Sequence, residues 1–362
     1  MEEPLFSVEL YKCIDIKNNL VFSPLSINAC LGLAYMGAGG DTAEEFSKRL
    51  RFGSLSKEEV ATNFFKIFGE SKAMRSVQIA TKIFINKEFN ISDRFSALSK
   101  RSFNSSVENM DFSNSSDCEK SINSWVEKET NSKIKNLIAP GTVKAETSAL
   151  LVNAIYFKGE WEKPFSQSNS TKMPFFSTEN KSVEVDFMIH NEPDVHFGDL
   201  KDLESSAVEL KYKGTDLSMV IVLPDKNEPL TKLAGNIQNN YDLMGISGKL
   251  SSRQLDIYIP KLEIETEIDL ESPLFKLGIK TAFTDCADFK EMFQGTIKPM
   301  KITKAVHKAF IKVDEGGTEA GASTEITITM RSLPRVFKAD HPFFWFIKDT
   351  NYIYFMGQVT EF

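Results

Sequence analysis

Residues 314–334 constrain the fold more than any other stretch. Residues 305–313 read as a strand, and the segment after them sits where a loop belongs yet carries strand chemistry. From Thr318 every second residue is small or apolar (Thr318, Ala320, Ala322, Thr324, Ile326, Ile328), while Glu319, Gly321, Ser323, Glu325, Thr327 and Thr329 fill the other face. Side chains alternate across a strand, so such a segment can lay one face on a core. Gly316 and Gly317 supply free backbone torsions where it would have to turn, and small inward residues let a new strand enter between existing ones without overpacking. A loop able to become a strand is a two-state element; an ordinary edge strand followed by an exposed loop has the same pattern.

The rest of the chain reads as the body that would receive such a strand. No internal repeat and no Gly/Ser-rich or Pro-rich linker divides the 362 residues, so the reading is one α+β domain, 1–362, with helices early and strands late. A content of 41% apolar residues with 29 Phe gives ample core. The net charge of −7 argues against a general nucleic-acid binder, and no apolar run reaches the length of a membrane span. Met1-Glu2-Glu3-Pro4 lacks a basic-then-apolar leader pattern, which fits a cytosolic protein or a secreted one whose signal has been removed. Cys13, Cys30, Cys118 and Cys286 are too scattered for a disulfide framework and read as structural thiols. Asn-x-Ser/Thr sequons at Asn90, Asn104, Asn114, Asn169 and Asn180 favour secretion only slightly.

Local signals place several elements. Ser23 can cap a helix with Pro24 at its first position, running to about Met36. Gly37-Ala38-Gly39-Gly40 lacks phosphate-loop spacing and reads as a turn, and Thr42-Ala43-Glu44-Glu45 has the spacing of a capping box. Ile122, Trp125, Val126 and Glu129 share one helical face. Leu255, Ile257 and Ile259, then Leu262 and Ile264 beyond Pro260, suggest one half-buried strand with an edge or bulge. Residues 208–212 with 217–223, and 343–347 with 352–356, read as hairpins.

Catalytic chemistry finds little support. His190, His196, His307 and His341 form no metal-binding pair, and no Gly-x-Ser-x-Gly elbow exists. His307 reads as a hydrogen-bonded core residue. Lys298, Lys301, Lys304, Lys308 and Lys312 read as a solvated face that strand alternation splits in two, rather than a polyanion patch.

Nearly the whole chain resembles the serpin family, from Asn19-Leu20-Val21-Phe22-Ser23-Pro24-Leu25-Ser26-Ile27 to Phe355-Met356-Gly357-Gln358-Val359. The specific blocks are Leu151-Val152-Asn153-Ala154-Ile155-Tyr156-Phe157-Lys158-Gly159-Glu160-Trp161 and Phe337-Lys338-Ala339-Asp340-His341-Pro342-Phe343. The resemblance implies three β-sheets, about nine helices and an exposed reactive-centre loop at 315–335. Glu315, Gly316, Gly317, Thr318, Glu319, Ala320, Gly321 and Ala322 match the loop's hinge. Ser23, Ser26, Asn153 and His307 match the polar cluster under the sheet that opens, and Trp161 matches the aromatic at its upper end. The family's spacing from the hinge puts the scissile bond between Arg331 and Ser332, with Met330 and Arg335 as the alternatives. Arg before the cut suits a trypsin-like serine protease, because a carboxylate-floored pocket pairs bidentately with guanidinium.

The implied function is therefore enzyme inhibition, not catalysis. The style most resembles arthropod serpins, with a secreted monomer acting on a clip-domain protease of an innate-immune cascade; an intracellular location and a non-inhibitory carrier, storage or chaperone role are the alternatives. No cofactor is implied, and a sulphated polysaccharide such as heparin is the accessory ligand that scattered lysines leave open.

Overall fold

The computed structural model describes residues 2–316 and 335–362, except 179, 192, 227, 296 and 297. The described helices are α1 (Glu3–Cys13), α2 (Pro24–Gly37), α3 (Gly40–Arg49), α4 (Lys57–Glu70), α5 (Asp93–Phe103), α6 (Ser115–Glu129), α7 (Leu230–Gln238), α8 (Ile246–Lys249) and α9 (Glu271–Leu277). The strands are β1 (Leu20–Phe22), β2 (Val77–Asn86), β3 (Ser106–Met110), β4 (Ala149–Phe157), β5 (Thr171–Thr178), β6 (Lys181–His190), β7 (Asp194–Leu200) and β8 (Ser205–Lys211). They continue with β9 (Ser218–Pro224), β10 (Ser251–Pro260), β11 (Leu262–Asp269), β12 (Ile302–Val313), β13 (Arg335–Lys338), β14 (Phe343–Lys348) and β15 (Ile353–Val359).

Residues form two compact units, one of Met1–Ile14, Ser23–Tyr156 and Thr266–Phe310, the other of Asp15–Phe22, Phe157–Glu265 and Ile311–Phe362. In the first, α2 begins as the sequence predicts: Ser23 Oγ accepts from the Ser26 N–H and Pro24 opens the helix, every residue of which is buried. A five-stranded sheet runs β11-β12-β4-β2-β3. Within it β12 and β4 pair in parallel, with Ala305 opposite Leu151, His307 opposite Asn153 and Phe310 opposite Tyr156. Helix α6 lays Ile122 and Val126 into a core with Phe84, Val152 and Tyr156; Trp125 packs at its margin and Glu129 is exposed.

The second unit holds the other two sheets, which share β10. Residues 251–254 of that strand pair with β7, and residues from Leu255 onward pair with β13 in parallel and β6 antiparallel. The β8–β9 and β14–β15 hairpins form as predicted, antiparallel over seven and six residue pairs. Asp349 Oδ1 closes the second by accepting from the Asn351 and Tyr352 N–H groups.

Three expectations are corrected. Thr42 caps no helix: α3 starts at Gly40, and the buried Thr42 hydroxyl instead accepts from the Asp288 N–H at 3.0 Å. Pro260 marks no bulge in one strand; β10 ends there and β11 starts at Leu262 in a different sheet. The lysines of β12 are not split between faces, because Lys304, Lys308 and Lys312 lie at even spacing. They meet Asp269, Glu267 and Glu263 of β11 respectively. Lys298 and Lys301 also have acids, Glu88 at 3.0 Å and Asp285 at 2.6 Å. Cys13, Cys30 and Cys118 are buried free thiols and Cys286 is exposed.

Candidate functional site

The polar cluster around His307 is assembled in the first unit by strand register. Because His307 stands opposite Asn153 in the β12–β4 ladder, its Nδ1 reaches Asn153 Oδ1 at 2.6 Å. The Ser23 N–H donates to His307 Nε2 at 3.2 Å. Nε2 is thus the acceptor, so Nδ1 carries the proton and donates to Asn153. Asn153 Oδ1 also accepts from Ser26 Oγ at 2.9 Å, and its Nδ2 donates to Thr81 Oγ1 of β2 at 2.7 Å. Ser26 Oγ lies 3.3 Å from the Ser23 carbonyl, a weaker second acceptor. Each polar atom of this cross-strand bridge is paired, as burial of all five residues demands. Desolvation pushes the His307 pKa down to about 3, so the ring is neutral near pH 7. Thr81 is the one member that the sequence does not single out; it lies in an apolar run with no local signal.

In the second unit the chain just past β12 is tied down at Trp161. The indole Nε1 donates to the Asp314 carbonyl at 3.0 Å and the Trp161 N–H to the Gly316 carbonyl at 2.9 Å. The Phe165 N–H reaches the Glu315 carbonyl at 2.8 Å. The Trp161 ring is buried and stacks on Tyr212, with centroids 4.5 Å apart and planes 16° off parallel. Glu315 itself is buried, yet Lys261 Nζ lies 2.8 Å from its carboxylate and Ser170 Oγ donates to the same oxygen. Burial raises the carboxyl's pKa, but these partners outweigh it and the net shift is downward. Asp314, by contrast, is raised by desolvation. Neither Lys261 nor Ser170 is foreseeable from sequence, since each meets Glu315 only through the tertiary fold.

Of the residues expected to form the hinge, Glu315 and Gly316 are therefore the described ones. Gly317, Thr318, Glu319, Ala320, Gly321 and Ala322, and the Arg331-Ser332 pair, lie outside the described residues. The chain re-enters at β13, where Arg335 is opposite Leu255, pairs with Asp199 at 3.4 Å and places its guanidinium over the Phe197 ring at 5.3 Å.

The structure is a mixed α+β body with a parallel seam between β12 and β4, and the sequence that follows β12 has the alternation of a strand. The family comparison agrees: a serpin (serine protease inhibitor) profile matches residues 3–362. Serine protease inhibitor 42Dd of Drosophila melanogaster is 34% identical over 362 residues, covering 98% of this chain and 95% of that protein. Ipis-1 of the tick Ixodes persulcatus is also 34% identical, covering 98% and 97%. Among solved structures, Serpin48, a highly specific serpin of the insect Tenebrio molitor, superposes with a TM-score of 0.90 at 31% identity, covering 100% of this chain and 97% of that one. The chain belongs to the serpin family. That family and its relatives' inhibitor names support protease inhibition as the general activity.

Proposed function

We propose that this chain is a suicide-substrate inhibitor of trypsin-like serine proteases, presenting the Arg331-Ser332 bond. The observation that carries the reading is the parallel β12–β4 ladder, met directly at the end of β12 by a segment with strand alternation. A strand joined to β12 by a short turn runs antiparallel to it. Among the described residues β11 lies on one side of β12 and β4 on the other. Insertion there replaces one parallel pairing with two antiparallel ones, which are slightly more stable per residue. Serpin loop insertion is itself a standard illustration of such a switch.

The chemistry follows. The protease's serine Oγ attacks the Arg331 carbonyl carbon, the Arg331-Ser332 C–N bond breaks, and the new Ser332 amine leaves with the proton taken from the serine. The resulting acyl ester is carried off as residues 317–330 insert, before water can attack it. Arg335 suits the role less, because its strand pairing and its contacts to Asp199 and Phe197 hold it in β13. The setting we favour is an extracellular cascade, with the serpin acting as one monomeric domain on a clip-domain protease. A sulphated polysaccharide such as heparin would have to displace the acids paired with Lys298, Lys301, Lys304, Lys308 and Lys312, so we assign it no site on that row.

A carrier role is the second reading, favoured by the structural match to a thyroxine-binding globulin complex with thyroxine, at TM-score 0.86 and 26% identity over 99% of this chain and 97% of that one. Mixing with trypsin separates the two. Inhibition gives an adduct stable on a denaturing gel and a released peptide beginning at Ser332. Cleavage without an adduct, or an adduct that survives Arg331→Ala unchanged, overturns the proposal.

A further inference from the structure

Within the second unit a cavity of about 760 Å³ opens among the end of β5, the start of α7, the β13–β14 connection and the end of β15. That size falls in the range of roughly 300–1,000 Å³ that holds small-molecule ligands. Phe176, Pro229, Leu230, Ala234 and Pro342 form its apolar wall, and Phe176 remains 39% exposed there although a large aromatic side chain gains by burial.

The polar groups around this hollow divide into committed and uncommitted sets. Asp340 takes Lys338 at 3.2 Å and His341 Nδ1 at 3.0 Å, while His341 Nε2 faces the Pro224 carbonyl at 2.9 Å. Glu228 holds Lys232 at 2.9 Å, and the Gln358 amide donates to the Asn18 carbonyl at 3.0 Å. Both lining carboxylates are thus neutralised by other cations. The lining ammonium groups are not. Among the described residues the Lys17 ammonium reaches only Asp15, at 4.0 Å with both side chains more than 70% exposed, a contact worth little. Lys226 is exposed and pairs with no carboxylate among the described residues.

An apolar hollow with two uncompensated cations on its lining and no uncompensated anion selects one chemistry. We propose that this cavity binds an amphipathic carboxylate, its alkyl or aryl body against Phe176 and Leu230 and its carboxylate at Lys17 and Lys226. The apolar body supplies most of the affinity and the charge-assisted contacts supply the preference for an anion. The assignment stands on the second unit alone and does not depend on the inhibitory reading.

Calorimetric titration of the full chain with three amphiphiles of equal tail, dodecanoate, dodecanol and dodecyltrimethylammonium, tests it. Dodecanoate should bind saturably with one site, dodecanol more weakly, and the cation least. The exposed double substitution K17E/K226E should weaken dodecanoate about tenfold or more while leaving dodecanol within about twofold. Thr231→Trp, at an exposed position on the cavity lining, should obstruct all three. Absence of saturable dodecanoate binding below 1 mM, on the order of the weakest specific affinities, overturns the proposal. So does equal binding of the cation, or dodecanoate binding that neither variant changes.

Discussion

Acidification should loosen the β4–β12 seam through one imidazole, and the size of the effect follows from burial. His307 titrates at about 3 in the fold and at about 6.5 in an unfolded chain. Its folded pKa is lowered, so above pH 6.5 the ring is neutral in both states and exerts no pH effect. As pH falls through 6.5 the unfolded chain gains a proton that the fold refuses, and stability drops until about pH 3. Between pH 7.5 and 5.0 this linkage removes about 2 kcal/mol, and any folded value below about 4 gives nearly the same figure. With an unfolding entropy of about 2.1 cal/mol/K per residue, a chain of 362 residues should lose about 3 °C of Tm from this group alone. The control is His307→Gln, whose amide offers an acceptor to the Ser23 N–H and a donor to Asn153 Oδ1 but no titrating proton. Thermal unfolding of both proteins at pH 7.5 and 5.0, scanned at one rate, isolates the term as the difference between their pH responses. A difference under 1 °C, against the roughly 3 °C expected, would refute the reasoning; it would mean that His307 is solvated or that the Ser23 N–H does not occupy Nε2.

Other perturbations probe the remaining parts. Glu315→Gln removes the charge that Lys261 faces and should destabilise by about 1–2 kcal/mol at pH 7, with the gap to wild type shrinking below pH 4.5, where the unfolded carboxyl protonates; urea unfolding across pH checks the sign. Thr318→Arg puts a long charged side chain on the inward face of the segment and should turn inhibitor into substrate, seen as cleaved chain in place of adduct on a gel with trypsin. Gly357→Ala should be among the costliest single changes, because a Cβ there would lie 1.9 Å from the Leu20 carbonyl oxygen and 2.9 Å from the Trp345 ring. Loss of soluble protein, or a fall of more than about 3 kcal/mol, is expected, and near wild-type stability would mean that β1 is not where it lies beside β15.

How legible these features were in sequence depended on how local their causes are. Ser23 with Pro24, the 343–347 and 352–356 hairpin and the Ile122–Val126 stripe are set by residues within a few positions of one another, and each forms as read. Thr42 failed because a capping-box spacing says nothing about a competing start, and the chain enters α3 through Gly40, whose φ of +47° suits glycine. The lysines of β12 looked like a solvated face because their acids lie on β11, beyond a connection of residues 270–301 that contains α9, a pairing that periodicity does not reveal. At the site, residue identities came from the family resemblance, whereas the pairing of His307 with Asn153, 154 positions apart, is fixed only by the register of two parallel strands. Lys261 and Ser170, which hold Glu315, left no trace in the sequence at all.

That register also explains why a histidine suits the middle of the seam. Parting β4 from β12 breaks the Nδ1 bond to Asn153, and Asn153 can remain on Ser26 and Thr81 while His307 keeps the Ser23 N–H. Opening thus strands a single donor, the Nδ1 proton, instead of dismantling the whole network. An unsatisfied buried donor costs about 1–3 kcal/mol, which adds to the backbone ladder in holding the seam closed and which the pairing of the proposed entering strand would offset. An aliphatic pair at 153 and 307 would carry no such directional bond, so closure would rest on backbone pairing and packing alone. Asn153→Leu with His307→Leu should therefore fold with its core filled yet pass more readily to the inserted state, measurable as faster incorporation of a synthetic peptide copying residues 317–330. Unchanged incorporation would show that the side-chain bridge plays no part in holding the seam.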